Sequence, residues 1–276
     1  MNKRLIVADS GCDLTEELKK RLNIEIVPFN IDIDGDTILD TPDVDKKNFM
    51  KKMKSSSNPV RSAAPSPNLF IEKFKDFKEI LVITISQKLS GTYNNAVLAK
   101  NMFLEEVDAK IHVFDSKSAS SGETIIALKI QEMIDKSLSF EEIVSEVEDF
   151  ISNMKSYFIL DDFDNLIKNG RMSKLTGTIA KFLSFKPVMQ GVDGEIQVFA
   201  KTRGQMNALN KLVEAIGMED KLDDRNLVIS HCDALDTALK LKKAIEHKYK
   251  FKSIQIIETG LLASVYANSG GIVVCF

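Results

Sequence analysis

Three stretches of the chain combine hydroxyls and small residues in a way that suits an anion: Asp9-Ser10-Gly11, Ser86 to Thr92 (SQKLSGT) and Asp115 to Gly122 (DSKSASSG). Each follows an apolar, strand-like run and opens a helical one. A helix N-terminus presents unpaired N–H groups and partial positive charge, so such loops can hold a carboxylate or a phosphate. The same residues also serve as ordinary N-caps. Three loops of this kind name an anion and leave the molecule open.

Constellations for catalysis are weak. There is no GxSxG elbow, no GxxxxGK[ST] phosphate loop and no HExxH helix. His112, His231 and His247 are not at metal-ligand spacing. Of the three, His231 stands at the end of a strand pattern, where it could act as a base. His112 falls inside a strand pattern and His247 near a helix end among lysines. Asp161, Asp162 and Asp164 are close enough to suggest paired carboxylates, but they open a predicted helix, where acids cap it and complement its dipole. Cys12, Cys232 and Cys275 are odd in number and far apart, which suggests neither a disulfide framework nor a zinc knuckle. No cofactor is implied. The apolar segment Leu175–Phe185 reads as a core helix, or as one wall of a narrow slot beside the anion-binding loops. Such a slot would suit a charged head with a greasy tail.

The elements that must position these residues alternate in type. Arg4–Ala8, Ile24–Phe29, Glu79–Ile85 and Lys110–Phe114 read as strands, with helices to about Leu22 and over Gly91–Glu106, Ser121–Lys136 and Phe140–Met154. Asn30–Leu39 alternates as a hairpin turning at Asp34-Gly35, Asp45–Lys54 is a short charged helix, and Ser55–Pro67 reads as a loop. After Asn153 the pattern restarts. Tyr157–Leu160, Pro187–Gln190, Ile196–Lys201, Leu227–Ser230, Ser253–Glu258 and Gly271–Cys275 read as strands, the second and third joined across Val192-Asp193-Gly194. Helices are expected over Asp162–Lys168, Gly204–Ile216 and Ala234–Lys248. The fold class is therefore α/β with two α/β domains, 1–155 and 156–276. The first is a mainly parallel sheet flanked by helices, and the second a smaller mixed α/β domain, with a ligand slot between them. Ligands of open parallel sheets collect outside the carboxyl ends of the strands.

Composition narrows the function classes. With 44% hydrophobic and 28% charged residues, 276 residues support a folded core. A net charge of -3 and no Trp argue against a nucleic-acid binder. The basic start MNKR precedes an apolar run of only Leu5 to Ala8, and no stretch reaches the ~20 apolar residues of a transmembrane segment, so a cytoplasmic protein is expected.

The motifs, taken in order, resemble the DegV family of fatty-acid-binding proteins. Asp9-Ser-Gly-Cys-Asp-Leu14 resembles its opening DSxxDL, Ser62-Ala-Ala-Pro-Ser-Pro67 its TSQPSP loop, and Leu89-Ser-Gly-Thr-Tyr93 its LSGTY. Asp115-Ser116, Asn169-Gly-Arg-Met-Ser173, Lys186-Pro187, Asp193-Gly194 and Lys201-Thr-Arg203 continue the series to about Gly271. The resemblance implies a long-chain fatty acid with its tail buried and its carboxylate held at the domain junction by Ser62 and Ser90. Gly91 would allow close backbone approach, and Arg171 and Arg203 would lie near the head group or on a surface facing a partner. It also implies a non-catalytic role, carrying lipid or presenting it to an ATP-dependent fatty acid kinase for phospholipid synthesis. The chain departs from the family pattern where Tyr266 stands for a histidine, Ser269 for a proline, and Ala63 and Ala64 for Ser and Gln. Tyr266 is the expected fourth contact to the carboxylate. A small-molecule phosphotransferase or a Ser-dependent hydrolase on the same scaffold, and a purely structural or regulatory module, stand as the alternatives.

Overall fold

The strand β1 (Arg4–Asp9) is buried on both faces, and that decides the architecture around it. It lies at the centre of a parallel sheet, between β2 (Ile24–Val27) and β6 (Glu79–Thr84), with β7 (Lys110–Asp115) beyond β6. The computed structural model describes residues 4–172 and 185–276. All six residues of β6, EILVIT, are buried, as a parallel strand covered on both sides requires. On one face Leu5, Val7, Ile80 and Val82 meet Phe70 and Phe74 of α3 (Pro67–Phe74) and Ala96, Ala99 and Phe103 of α4 (Thr92–Glu106). On the other, Ile6, Ala8, Leu81 and Ile83 meet α1 (Glu16–Leu22), α5 (Ser121–Asp135) and α6 (Phe140–Asn153).

The second sheet has the order β10-β9-β8-β13-β11-β12. Its strands are β8 (Ser156–Ile159), β9 (Val188–Val192), β10 (Glu195–Ala200), β11 (Asn226–His231), β12 (Ser253–Glu258) and β13 (Ile272–Cys275). Only the β11–β12 pair is parallel. Six strands against four make this the larger sheet. Helices α8 (Gln205–Ile216) and α9 (Leu235–Lys248) cover one face through Leu209, Leu212, Leu241 and Ile245. Helix α5 belongs to both halves: the cluster that joins it to Ile6 and Ile83 also contains Val228, Ile257 and Cys275. Ten of its 15 residues are buried, more than one apolar stripe would give.

The two hairpins turn where expected. Asp34 and Gly35 (φ 53° and 88°) join β3 (Asn30–Ile33) to β4 (Asp36–Leu39), and Asp193 and Gly194 (φ 48° and 81°) join β9 to β10. Positive φ at two successive residues matches the twist of the flanking strands. One expectation needs correction, and one further helix leaves no sequence signal. Inside Ser55–Pro67, Arg61–Ala63 is a strand, β5, that pairs with β3 in a three-stranded sheet of order β4-β3-β5. Three residues reading Arg-Ser-Ala carry no alternation, so only the pairing makes them a strand. Between Gly260 and Gly271 lies a helix, α10 (Leu261–Ala267). Its LLASVYA has no polar face, and five of its seven residues are buried, which erases the amphipathic signal. The remaining α-helices among the described residues are α2 (Lys46–Ser55) and α7 (Asp164–Lys168).

Candidate functional site

A slot opens where the carboxyl ends of the parallel strands meet the second sheet. Gly11 follows β1, Leu89 and Ser90 follow β6, and Lys117 to Ser120 follow β7; all line it. All three hydroxyl-rich loops therefore reach the same cavity. Opposite them, Ser156 and Phe158 project from alternate positions of β8 and so share one face, with Leu160 just past its end. Val273, the cross-strand partner of Phe158, lies beside it. Phe29, just before β3, and Ser62 of β5, with Leu262, Ala263, Tyr266 and Ala267 of α10, complete the wall. The slot encloses about 1000 Å³ of empty space, its solvent-open mouth included.

Its polar groups concentrate at two places. At one, the Ser62 hydroxyl and the Tyr266 phenol lie 2.7 Å apart. Ser90 and Arg171 line the same cavity. The Arg171 Nε donates to the Leu89 carbonyl at 3.2 Å, and its Nη1 donates to the Asn169 carbonyl. Ser90 Oγ accepts the Thr92 N–H at 3.2 Å, which shapes the turn into α4. At the other place, the start of β8, Ser118 and Ser156 are hydrogen-bonded at 2.8 Å, and Ser156 Oγ is 3.1 Å from the Cys275 thiol. These hydroxyls satisfy one another, whereas the Ser62–Tyr266 pair keeps spare donor and acceptor capacity.

Behind Gly11 sit two buried acids, Asp9 and Glu123, the second of which sequence reasoning missed. Asp9 accepts the Gly11 N–H and the Ile85 N–H, both at 2.9 Å, and so ties two of the slot-forming loops together. Burial pushes Asp9 up to about 6. Glu123, in the first turn of α5, is fully buried, and burial, followed by the charge of Asp9, pushes it well above the carboxylate range. Neither Glu123 oxygen meets a conventional donor, so the buried carboxyl beside Asp9 favours its neutral, protonated form. A side chain at Gly11 would put its Cβ 2.6 Å from Glu123 Oε1, so the glycine is required by close approach. The available signal was a lone acid among small and apolar residues in SGETIIAL.

The other expected residues fall as follows. Gly91 is exposed, has φ -76°, and a Cβ there would meet nothing within 4 Å; it does not line the slot. Arg203 is exposed outside the slot, its guanidinium 4.8 Å from the centre of the Phe185 ring. His231 is buried away from the slot, with Nδ1 accepting the Ala234 N–H at 3.3 Å; burial lowers its pKa. Asp162 caps the start of α7 through the Asp164 N–H, Asp161 pairs with Lys186, and Asp164 pairs with Lys168. The segment Leu175–Phe185 lies outside the described residues, apart from its last one. Among the described residues no His, Cys, Asp or Glu group is arranged to hold a metal, and no helix is long and apolar enough to cross a membrane.

The chain is similar to known proteins. A family model described as "Uncharacterised protein, DegV family" matches residues 3–276. A DegV domain-containing protein of Streptococcus pyogenes is 34% identical over 271 residues, 97% of this chain and 96% of the relative. Among solved structures, a DegV family protein from Ruminococcus gnavus, with vaccenic acid, is 35% identical with a TM-score of 0.95 and full coverage of both chains. The Fatty Acid Kinase (Fak) B3 protein of Streptococcus pneumoniae, loaded with linoleic acid, is 31% identical with a TM-score of 0.92 over 99% of each chain. A match across residues 3–276, with relatives of this identity over nearly the full length, makes this chain a member of the DegV family.

Proposed function

We propose that the chain binds a long-chain fatty acid in the slot, with the carboxylate against Ser62, Tyr266 and Ser90 and the tail along Phe158 and Val273. The observation that carries this reading is an apolar slot with an available hydroxyl pair, Ser62 and Tyr266, at its polar end and the cation of Arg171 in the same wall. Burying each methylene of a tail contributes ~0.8 kcal/mol, so affinity comes from length while a few polar groups fix orientation. The fatty acids in the similar Ruminococcus and Streptococcus structures support the same ligand class. Two units, 1–155 and 156–276, would close on the lipid; every strand of the second sheet comes after residue 155.

The reading extends to a carrier that is not itself a catalyst. Among the described residues, no histidine lines the slot to activate Ser62 or Ser90. Presentation of the carboxylate to an ATP-dependent kinase in the cytoplasm is the finer part of the proposal. It rests on the likeness to the Fak B3 protein and on the exposure of Arg203. The test is native mass spectrometry of freshly purified protein, followed by displacement of cis-parinaric acid from delipidated protein. A C14–C20 acid bound one to one is expected. Failure of every such acid to bind would remove the proposal.

A further inference from the structure

Helix α10 brings Tyr266 to the slot, and two acids from distant loops hold its start. The Gly260 N–H donates to Asp13 Oδ1 at 2.7 Å, and the Leu262 N–H donates to Asp40 Oδ2 at 3.2 Å. Asp13 follows β1 and Asp40 follows β4, so the first 40 residues grip the beginning of a helix more than 200 positions later. Asp13 is itself fixed, because its second oxygen accepts the Ser120 hydroxyl at the entrance to α5. Neither acid lines the slot; both face a groove on the other side of α10. There Lys46 binds Glu258 and the Thr259 carbonyl, both at 2.7 Å, and steadies the approach to the helix.

Both carboxyls are buried, and burial pushes Asp13 up and Asp40 to about 6. A buried charge lowers stability unless its surroundings compensate, and a Ser or Asn cap would avoid that cost. What the two acids give in return is geometry. Their bonds lie two residues apart on the first turn and fix both the position and the tilt of the helix. Leu262 and Tyr266 are four residues apart, so they share a face of α10, and both line the slot. A shift at Leu262 is therefore carried to the phenol.

We propose that Asp13 and Asp40 are positioning residues for the head-group site: by pinning the first turn of α10 they set the Tyr266 phenol against Ser62 without touching the ligand. The inference rests on the fatty-acid reading of the slot. Asp40→Ala should weaken fatty-acid binding about tenfold in the wild-type background and leave it unchanged in a Tyr266→Phe background, because residues acting through one another are non-additive. Asp40→Asn should restore affinity, since its amide oxygen accepts the same N–H. Gly260→Pro is a second, independent variant. The φ of Gly260, -66°, suits a proline ring, and a Cβ there meets Asp13 Oδ1 at an ordinary 3.5 Å. It replaces the N–H that Asp13 receives by the ring Cδ, which also pushes the carboxylate away from the helix start, and should show the same background dependence.

Equal losses in both backgrounds, or no loss, would overturn the proposal; if Asp40→Ala does not fold, Gly260→Pro decides. Hydrogen exchange of the α10 amides in lipid-free protein reads the pin without any ligand. Both variants should exchange there about tenfold faster with the global unfolding transition retained. Unchanged α10 exchange refutes the pin. Faster α10 exchange in a protein that binds no fatty acid upholds the pin and refutes the lipid reading instead.

Discussion

The Ser62 hydroxyl and the Tyr266 phenol stand 2.7 Å apart although 204 positions separate them in the chain. The contact joins β5, paired into the small sheet, to α10, packed against the slot. A phenol is a neutral donor near neutral pH, whereas the histidine of the family pattern can carry charge there.

Tyr266→Phe should therefore weaken fatty-acid binding about tenfold, as expected for losing a hydrogen bond to a charged group. Wild-type affinity should lack a histidine-linked change between roughly pH 5 and 8. Displacement titrations of cis-parinaric acid check both; a Tyr266→Phe protein with wild-type affinity would place the ring outside the carboxylate contact.

Ser62→Ala and Ser90→Ala should each cost about ten- to a hundredfold in affinity with the fold retained. Ser90 also accepts the Thr92 N–H, so its loss should loosen the loop into α4 as well. Calorimetric binding together with thermal melts separates the two effects, and unchanged affinity in either variant excludes that hydroxyl from the site.

The two arginines should part company. Arg171 lines the slot and Arg203 is exposed beside Phe185. Arg171→Met should weaken lipid binding, whereas Arg203→Glu should preserve it and abolish phosphorylation of the bound lipid by a fatty acid kinase. Lipid binding lost in Arg203→Glu would put that residue in the binding site and refute the assignment.

The buried acids make stability depend on pH. Asp9 is pushed up to about 6 and Glu123 further still, so the folded protein holds protons that the unfolded chain has released. Their contribution is fully present below the unfolded carboxylate range of ~4 and is lost as pH rises through about 6 and beyond. Wild-type melting temperature should therefore rise as pH falls from 8 to 5. Glu123→Gln removes one titrating proton, flattening that slope by up to about 1.4 kcal/mol per pH unit. Asp9, Asp13 and Asp40 keep the remainder. Parallel pH profiles for the variant and wild type would show that Glu123 does not hold the proton.

Local pattern alone determined most of the regular elements of this protein. The run in β6, the alternation through Asn30–Leu39 and the stripe of α6 each follow from periodicity, and both hairpin turns from Asp-Gly pairs that accept positive φ. Residue types also named the three loops that reach the slot and, through the ordered motifs, Ser62, Ser90, Arg171 and Tyr266. Tertiary structure decided the rest. Strand β5 exists because β3 offers it backbone partners, and α10 is apolar on every side because it is buried, so neither leaves a periodic trace. Asp13 and Asp40 look like ordinary surface acids in the sequence, and Glu123 stands out only as a lone acid among apolar neighbours. Their roles arise only when folding strips away water, raises their pKa values and leaves N–H and carboxyl groups as their neighbours, a consequence of burial that no local window contains.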